Sequence, residues 1–272
     1  MNIDNQKKGI IVTVFSTASA VGKTLLSINM AAQLAYMGYK TCLVDMDLQF
    51  GDVGNYLNIE SPVTIFDATD KLSKQGYVEI EEYLHNYSYK NVNFSVLLAP
   101  NKLEEAYNIS TEHIKKCIEN LQKKFEYVVV DTTSAFSEAN LAVMDISTLV
   151  TFVGIVDFIP TIKNMKIGYD TMRNIGYDKH KIRLILNRSD SKTDISLDDV
   201  EKLLQEKFYH IIPNDFMQAQ KSIADGIPLV AEDKESLIRD RVRQLVTKYM
   251  SKGNEPRQRD KTITSFVKNI FK

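Results

Sequence analysis

Short, almost uninterrupted apolar runs alternate along the chain with longer stretches in which apolar residues recur every three or four positions. GIIVTVF (9–15) is followed by TLLSINMAAQLAYMG (24–38) and TCLVDMD (41–47). The same alternation returns with NFSVLLAP (93–100), EYVVVD (126–131), STLVTFVGIV (147–156) and IRLILN (182–187), each separated from the next by a candidate helix. Strands that are apolar at nearly every position are those covered on both faces, and the helices between them supply the crossovers of a parallel sheet. The pattern predicts a three-layer α/β/α sandwich with a mostly parallel central sheet. Gly38 is the expected stop of the first helix, and Pro100, Pro160 and Pro213 are expected in loops just past strands.

In a sheet of this kind ligands bind beyond the carboxyl ends of the strands, so the residues that follow each apolar run carry the functional information. After the first run comes FSTASAVGKT (15–24), which ends like a phosphate-binding loop. The G-x-x-x-x-G-K-[ST] pattern finds Gly22, Lys23 and Thr24 in its last three fixed places and Thr17 in its first. Backbone N–H groups of such a loop, together with the positive end of the helix it enters, form an anion site. Lys23 is expected to reach the β- and γ-phosphates, and Thr24 to offer its hydroxyl to Mg²⁺. Ser19 and Ala20 stand where such loops often have glycine for close backbone approach. The second run ends in Asp45 and Asp47, EYVVV in Asp131, and IRLIL in Asn187 and Arg188. Asp131 is in place to hold the Mg²⁺ shell through water, although an Asp after a strand is also a common turn former or helix cap.

Composition narrows the reading. A chain of 272 residues that is 44% apolar can bury the core of one large domain. A formal charge of −1 does not favour nucleic acid as a partner, and the basic run at 163–183 reads as a solvated helix face or a partner surface. Cys42 and Cys117 lie far apart without metal-ligand spacing, so they read as buried thiols of a cytoplasmic protein. No stretch is apolar enough for a signal peptide or a membrane span. The expected division is a domain over 1–250, a polar linker over 251–260 and an amphipathic helix over 261–272. In that last segment Ile263, Phe266, Val267, Ile270 and Phe271 share one helical face, with Lys261, Lys268 and Lys272 toward the rest. Such a helix binds an anionic lipid interface weakly, each lysine near the surface contributing about 1 kcal/mol. Packing back on the domain or docking in a partner's groove are the alternatives.

These motifs together resemble the MinD/ParA ATPases, P-loop NTPases of the SIMIBI type whose deviant loop reads K-G-G-x-G-K-[ST]. The likeness runs over nearly the whole chain. DLQFGDV (47–53), LLAPNKLEEAY, YVVVDTTSAFSEANLAVMD, LNRSD, IIPND and AQKSIADGIPLV are similar to the CpaE/TadZ branch associated with Flp/Tad pilus assembly. The resemblance implies ATP and Mg²⁺ as cofactors. Ser19, Ala20, Val21, Gly22, Lys23, Thr24 and Leu25 would surround the phosphates, with Thr24, Asp45 and Asp131 toward the metal. Asp45 and Asp47 would lie near the γ-phosphate, Asp47 orienting the attacking water, with Lys23 completing the catalytic set. Asn187 would bond the adenine edge, Arg188 would pack near it, and Pro213, Asn214 and Asp215 would form the far wall of the base pocket. A nucleotide-dependent homodimer, the anionic inner face of the cell membrane and components of a pilus, secretion or other polar assembly are the implied partners.

The chain departs from that family at Ala18, where the family has a lysine that crosses the dimer interface to the partner's nucleotide. Loss of a cation at a transferring phosphoryl group removes charge stabilisation worth on the order of 10³ in rate elsewhere. Slow or absent hydrolysis is therefore expected, and one contact of the dimer is missing. Branch members often carry a receiver-like domain ahead of the first strand, which here begins almost at once; this weakens the pilus assignment relative to placement of division or flagellar structures. A non-catalytic scaffold of the same fold remains open. The tyrosine kinases that share these motifs carry a tyrosine cluster beyond the position of Tyr249, where this chain has none, and Cys42 sits inside a predicted strand rather than on a cluster-holding loop.

Overall fold

The computed structural model describes residues 8–189, 195–232 and 234–251. Its centre is an eight-stranded sheet of order β3-β4-β2-β5-β1-β6-β7-β8. The strands are β1 (Ile10–Phe15), β2 (Thr41–Met46), β3 (His85–Tyr89), β4 (Val92–Leu97), β5 (Tyr127–Thr132), β6 (Leu149–Gly154), β7 (Ile182–Leu186) and β8 (His210–Ile211). Every neighbouring pair is parallel except the β3–β4 hairpin.

The helices are α1 (Lys23–Tyr36), α2 (Val53–Leu57), α3 (Ile65–Gln75), α4 (Leu103–Asn108), α5 (Thr111–Lys124), α6 (Glu138–Ile146), α7 (Ile159–Asn174), α8 (Leu197–Leu204), α9 (Phe216–Asp225) and α10 (Leu237–Ser251). Alternate residues of the central strands enter opposite cores. Val12 and Val14 of β1, Leu43 of β2 and Val129 of β5 pack with α1, α2 and α10. Cys42, Val44, Val128 and Val130 pack with α3 and α5 on the other face, and Phe15, Phe152 and Leu184 with α6, α7 and α8. Each fully buried large side chain of these layers stabilises the fold by about 1.5–3 kcal/mol relative to exposure. The predicted three-layer sandwich is the observed one.

The apolar runs mark six of the eight strands. The other two lack the signal for a physical reason. HNYSY of β3 buries only Tyr87, because a strand at the sheet edge has less apolar surface to cover, and β8 is two residues long. Gly38 takes φ +90° just beyond α1 and stops it as expected. Pro160 departs from expectation: it lies in the first turn of α7 rather than in a loop. A first-turn N–H has no intrahelical partner, so proline costs nothing there. Cys42 and Cys117 are buried and free, and burial pushes both thiols up.

Among the described residues, five of the ten helix starts are closed by side chains. Thr64 caps α3, reciprocated by Asp67, and Ser110, Ser137, Ser196 and Asp215 cap α5, α6, α8 and α9. The start of α1 has neither a side-chain cap nor an acidic residue in its first turn. Its first N–H groups have no intrahelical acceptor. That uncapped end lies at the middle of the sheet, beyond the carboxyl end of β1.

Candidate functional site

The segment from Ser16 to Gly22 joins β1 to α1 and is anchored at several points. Ser16 Oγ accepts from the Ala18 N–H at 3.0 Å. Ala20 is left-handed at φ +57°, a conformation costing a non-glycine residue about 1–2 kcal/mol. Gly22 follows at φ +92°, where a Cβ would come within 2.6 Å of Asn187 Nδ2. The same amide nitrogen donates to the Val21 carbonyl at 2.8 Å, so Asn187, at the end of β7, abuts the loop. Val21 is buried, whereas Ser19 and Ala20 are exposed and Leu25 is half-buried.

Lys23 opens α1 and turns its Nζ to Ser134 Oγ at 2.9 Å. Burial draws its ammonium below the usual lysine value, against the pull of the Asp131 and Asp47 charges. Thr24 Oγ1 donates to Asp131 Oδ2 at 2.7 Å, and Ser27 Oγ, one helical turn on, donates to Asp131 Oδ1 at 2.8 Å. Burial raises Asp131 to about 6, while the two hydroxyls and Lys23 act in the opposite direction.

Asp45 stands beside Asp131 in register on the adjacent strand. Its Oδ1 accepts from the Asp47 N–H at 3.0 Å and its Oδ2 from the Val53 N–H at 3.1 Å. It shapes the turn that leads into α2. Burial, and after it the Asp131 charge, holds Asp45 well above the usual carboxylate range. Asp47 lies on the turn itself, half-buried, and accepts from the Phe50 N–H at 3.2 Å. A cleft of about 540 Å³ lined by Gly51, Asn55, Pro62, Leu98 and Asn101 opens on Asp45 from the loops after β2 and β4.

The residues expected around the base fall on two adjoining segments. Arg188 is left-handed at φ +54°, and the next N–H, of Ser189, donates to Ile212 O at 3.1 Å. This joins the 187–189 turn to the segment containing Pro213, Asn214 and Asp215. Asp215 Oδ1 accepts from Gln218 N at 3.2 Å and so caps α9.

The structure thus brings Lys23, Thr24, Asp45, Asp47 and Asp131 to one end of the sheet, with Asn187 touching the same loop. Ala18 is half-buried against the apolar core. The amphipathic segment 261–272, with Ile263, Phe266, Val267, Ile270, Phe271, Lys268 and Lys272, lies outside the described residues. Sequence reading passed over Ser27, Ser134, Asn140 and Gly168. Ser27 carried a partial signal, being polar three residues after Thr24, although Asn29 and Gln33 are polar on the same helix. Gly168 carried none: only the fold shows that a Cβ there would meet Thr17 Cγ2 at 2.3 Å.

The residues present fit a nucleotide with its magnesium. An uncapped helix start suits phosphate, and a hydroxyl beside a buried carboxylate suits a hydrated hard cation. Lys23 is in reach of both. Among the described residues no cluster of three or more His, Cys, Asp or Glu could hold a metal by itself, and Mg²⁺ takes only one or two protein ligands when phosphate supplies others.

Comparison with known proteins places the chain in a family. The CobQ/CobB/MinD/ParA nucleotide binding domain matches residues 12–229. The septum site-determining protein MinD of Synechocystis sp. is 30% identical over 243 residues, which cover 84% of each chain. The ParA family ATPase of Chlorobium tepidum superposes with a TM-score of 0.80 at 18% identity, over 88% of this chain and 98% of that one. MinD of Pyrococcus horikoshii, solved with Mg-ADP, superposes with a TM-score of 0.76 at 19% identity, over 92% and 100%. At those identities the two structures speak for the fold alone. The family match spans the loop, both buried carboxylates and the Asn187 turn, and this chain belongs to the CobQ/CobB/MinD/ParA nucleotide-binding family.

Proposed function

We propose that this chain binds Mg·ATP, hydrolyses it slowly or not at all, and uses nucleotide state to control where it resides and what it recruits. The observation that carries the reading is the set of Lys23, Thr24 and Asp131 at the uncapped start of α1. When bound, the magnesium ion would neutralise charge on the β- and γ-phosphates. Lys23 would hold the phosphates, Thr24 and Asp131 would hold the metal with Asp45 behind, and Asp47 would orient water. Asn187, Arg188, Pro213, Asn214 and Asp215 would enclose the base. Slow turnover follows from Ala18, which brings no cation to the transferring group.

Pairing of two copies is supported by exposed apolar residues on the face that holds the loop. Phe50 follows β2, Phe158 and Ile159 follow β6, and Phe216 and Met217 follow β8. Large apolar side chains left exposed along one end of a sheet are candidates for burial against a partner. Among the described residues no helix is long and apolar enough to cross a membrane, so attachment would rest on the amphipathic pattern of 261–272, beyond the linker at 251–260. Two copies would double that weak anchor and raise avidity.

The assembly served is a Tad-type pilus or secretion machine, on the likeness of 47–53 and the segments after it to the CpaE/TadZ branch. A regulator of division-site placement is the second reading, favoured by the MinD relative at 30% identity. Identification of nucleotide retained on purified protein, with phosphate release measured with and without anionic liposomes, tests the biochemical core. Retained ATP with little release is expected; turnover matching ordinary family members would sink the slow-enzyme reading, and an inert, nucleotide-free protein would leave only a scaffold.

A further inference from the structure

Between β5 and α6 the chain forms a short turn seated from two sides. Asn140, buried on α6, donates through Nδ2 to Thr133 Oγ1 and to the Ala135 carbonyl, each at 2.8 Å. Phe136 packs its ring on Phe15 with centroids 4.9 Å apart. The residue between these anchors is Ser134, and its hydroxyl faces the nucleotide loop rather than its own turn. It accepts from Lys23 Nζ at 2.9 Å and donates to the Ala18 carbonyl at 2.8 Å.

A serine hydroxyl has one hydrogen and two lone pairs. With the hydrogen committed to Ala18 O, the oxygen is left as an acceptor for the ammonium, so the two bonds are compatible and simultaneous. The Ala18 peptide is held from both ends, by Ser16 Oγ at its N–H and by Ser134 at its carbonyl. The stretch between Ala18 and Gly22, with Ala20 in its strained conformation, is thereby suspended between fixed points. Lys23 keeps two further N–H donors for a ligand.

We infer that Ser134 is a positioning residue for the nucleotide loop, a strap within one protomer that holds Lys23 over the start of α1 and fixes the Ala18 end of the loop before phosphate arrives. The inference rests on the reading of Lys23 as a phosphate ligand. A free lysine side chain loses rotamer freedom when it engages a ligand, and one already held at the site loses less. The strap also makes the loop and the turn after Asp131 a single body, so that the phosphate side and the metal side of the site keep their relative placement. Nothing in the residue pattern of the loop itself announces this, because the strap comes from a serine 111 positions downstream of Lys23.

The test uses the full chain and two variants, Ser134→Ala and Ser134→Thr, with folding verified by circular dichroism. Lys23 is followed by its rate of acetylation with acetic anhydride in nucleotide-free protein, read by mass spectrometry, and Mg·ATP affinity by calorimetry. Ser134→Ala should acetylate Lys23 several-fold faster and bind Mg·ATP about tenfold more weakly, the size of one lost charge-assisted hydrogen bond. Ser134→Thr, which keeps the hydroxyl, should restore both. Unchanged acetylation in Ser134→Ala overturns the strap. Faster acetylation with unchanged affinity overturns its service to nucleotide. If the unaltered chain binds no Mg·ATP yet Ser134→Ala still acetylates faster, the nucleotide reading fails and the strap stands.

Discussion

Asp45 and Asp131 occupy paired positions on adjacent strands, both end apolar runs, and both are almost wholly buried. Their partners differ completely. Asp131 receives two side-chain hydroxyls from α1, whereas Asp45 receives two backbone N–H groups from the turn after its own strand. A carboxylate held by hydroxyls can exchange them for a hydrated cation at little cost, since a hydroxyl can turn and donate elsewhere. A carboxylate held by backbone N–H groups cannot be drawn away without unfolding the turn that supplies them. Equivalent places in a sheet therefore yield one residue suited to metal and another suited to shaping the approach of α2.

Asp131→Asn is the substitution expected to act most strongly on ligand binding. It should lower Mg²⁺-dependent nucleotide affinity by about 10–100-fold, the usual effect of losing an outer partner of a metal, while leaving the thermal midpoint nearly unmoved. Titration with nucleotide at several Mg²⁺ concentrations checks this. Asp45→Ala should do the reverse, destabilising the fold by about 2 kcal/mol because two buried N–H groups lose their acceptor, with the relief of repulsion from Asp131 offsetting part of the loss. Chemical denaturation reads that difference, and an Asp45→Ala protein of unchanged stability would erase the distinction between the two carboxylates.

How far the sequence went can be judged on these same residues. The six long strands were legible because each is covered on both faces and must be apolar throughout, and the loop was legible because phosphate demands a particular backbone and a lysine. Asp45 and Asp131 were legible as acidic strand ends, but not as different from each other, since what separates them is which neighbour supplies the hydrogen bonds. Ser134 and Gly168 were illegible for the same reason: their effect on the loop is exerted across 100 or more residues of chain, through a hydroxyl and through a missing Cβ. β3 and β8 escaped because edge strands need neither length nor apolar faces.

Two smaller effects sharpen the contrast between buried and exposed charge. His210 is buried with Nε2 donating to the Arg241 carbonyl at 2.8 Å and Nδ1 facing Lys248 Nζ at 3.2 Å. Burial above all, and then the neighbouring Lys248 and Arg241 charges, lowers its pKa from 6.5 to about 4. Between those values the unfolded chain binds the proton and the folded one does not, so the contribution is complete above pH 6.5 and is lost as pH falls toward 4. His210→Gln should flatten that part of the stability profile measured by denaturation at stepped pH. Lys124→Ala, which removes an exposed 3.0 Å pair with Glu81, should leave stability almost unchanged, since solvent screens such a pair.

On the proposed reading the start of α1, with Lys23 and the two hydroxyl partners of Asp131, is a working Mg·ATP site. Isothermal titration of the full chain with Mg·ATP, alongside Lys23→Ala, tests it most directly. Saturable heat with one nucleotide per chain, lost in a Lys23→Ala protein that remains folded, is the predicted result. Folded, unaltered protein that gives no saturable heat, or a Lys23→Ala variant that binds as well as the unaltered chain, would contradict it.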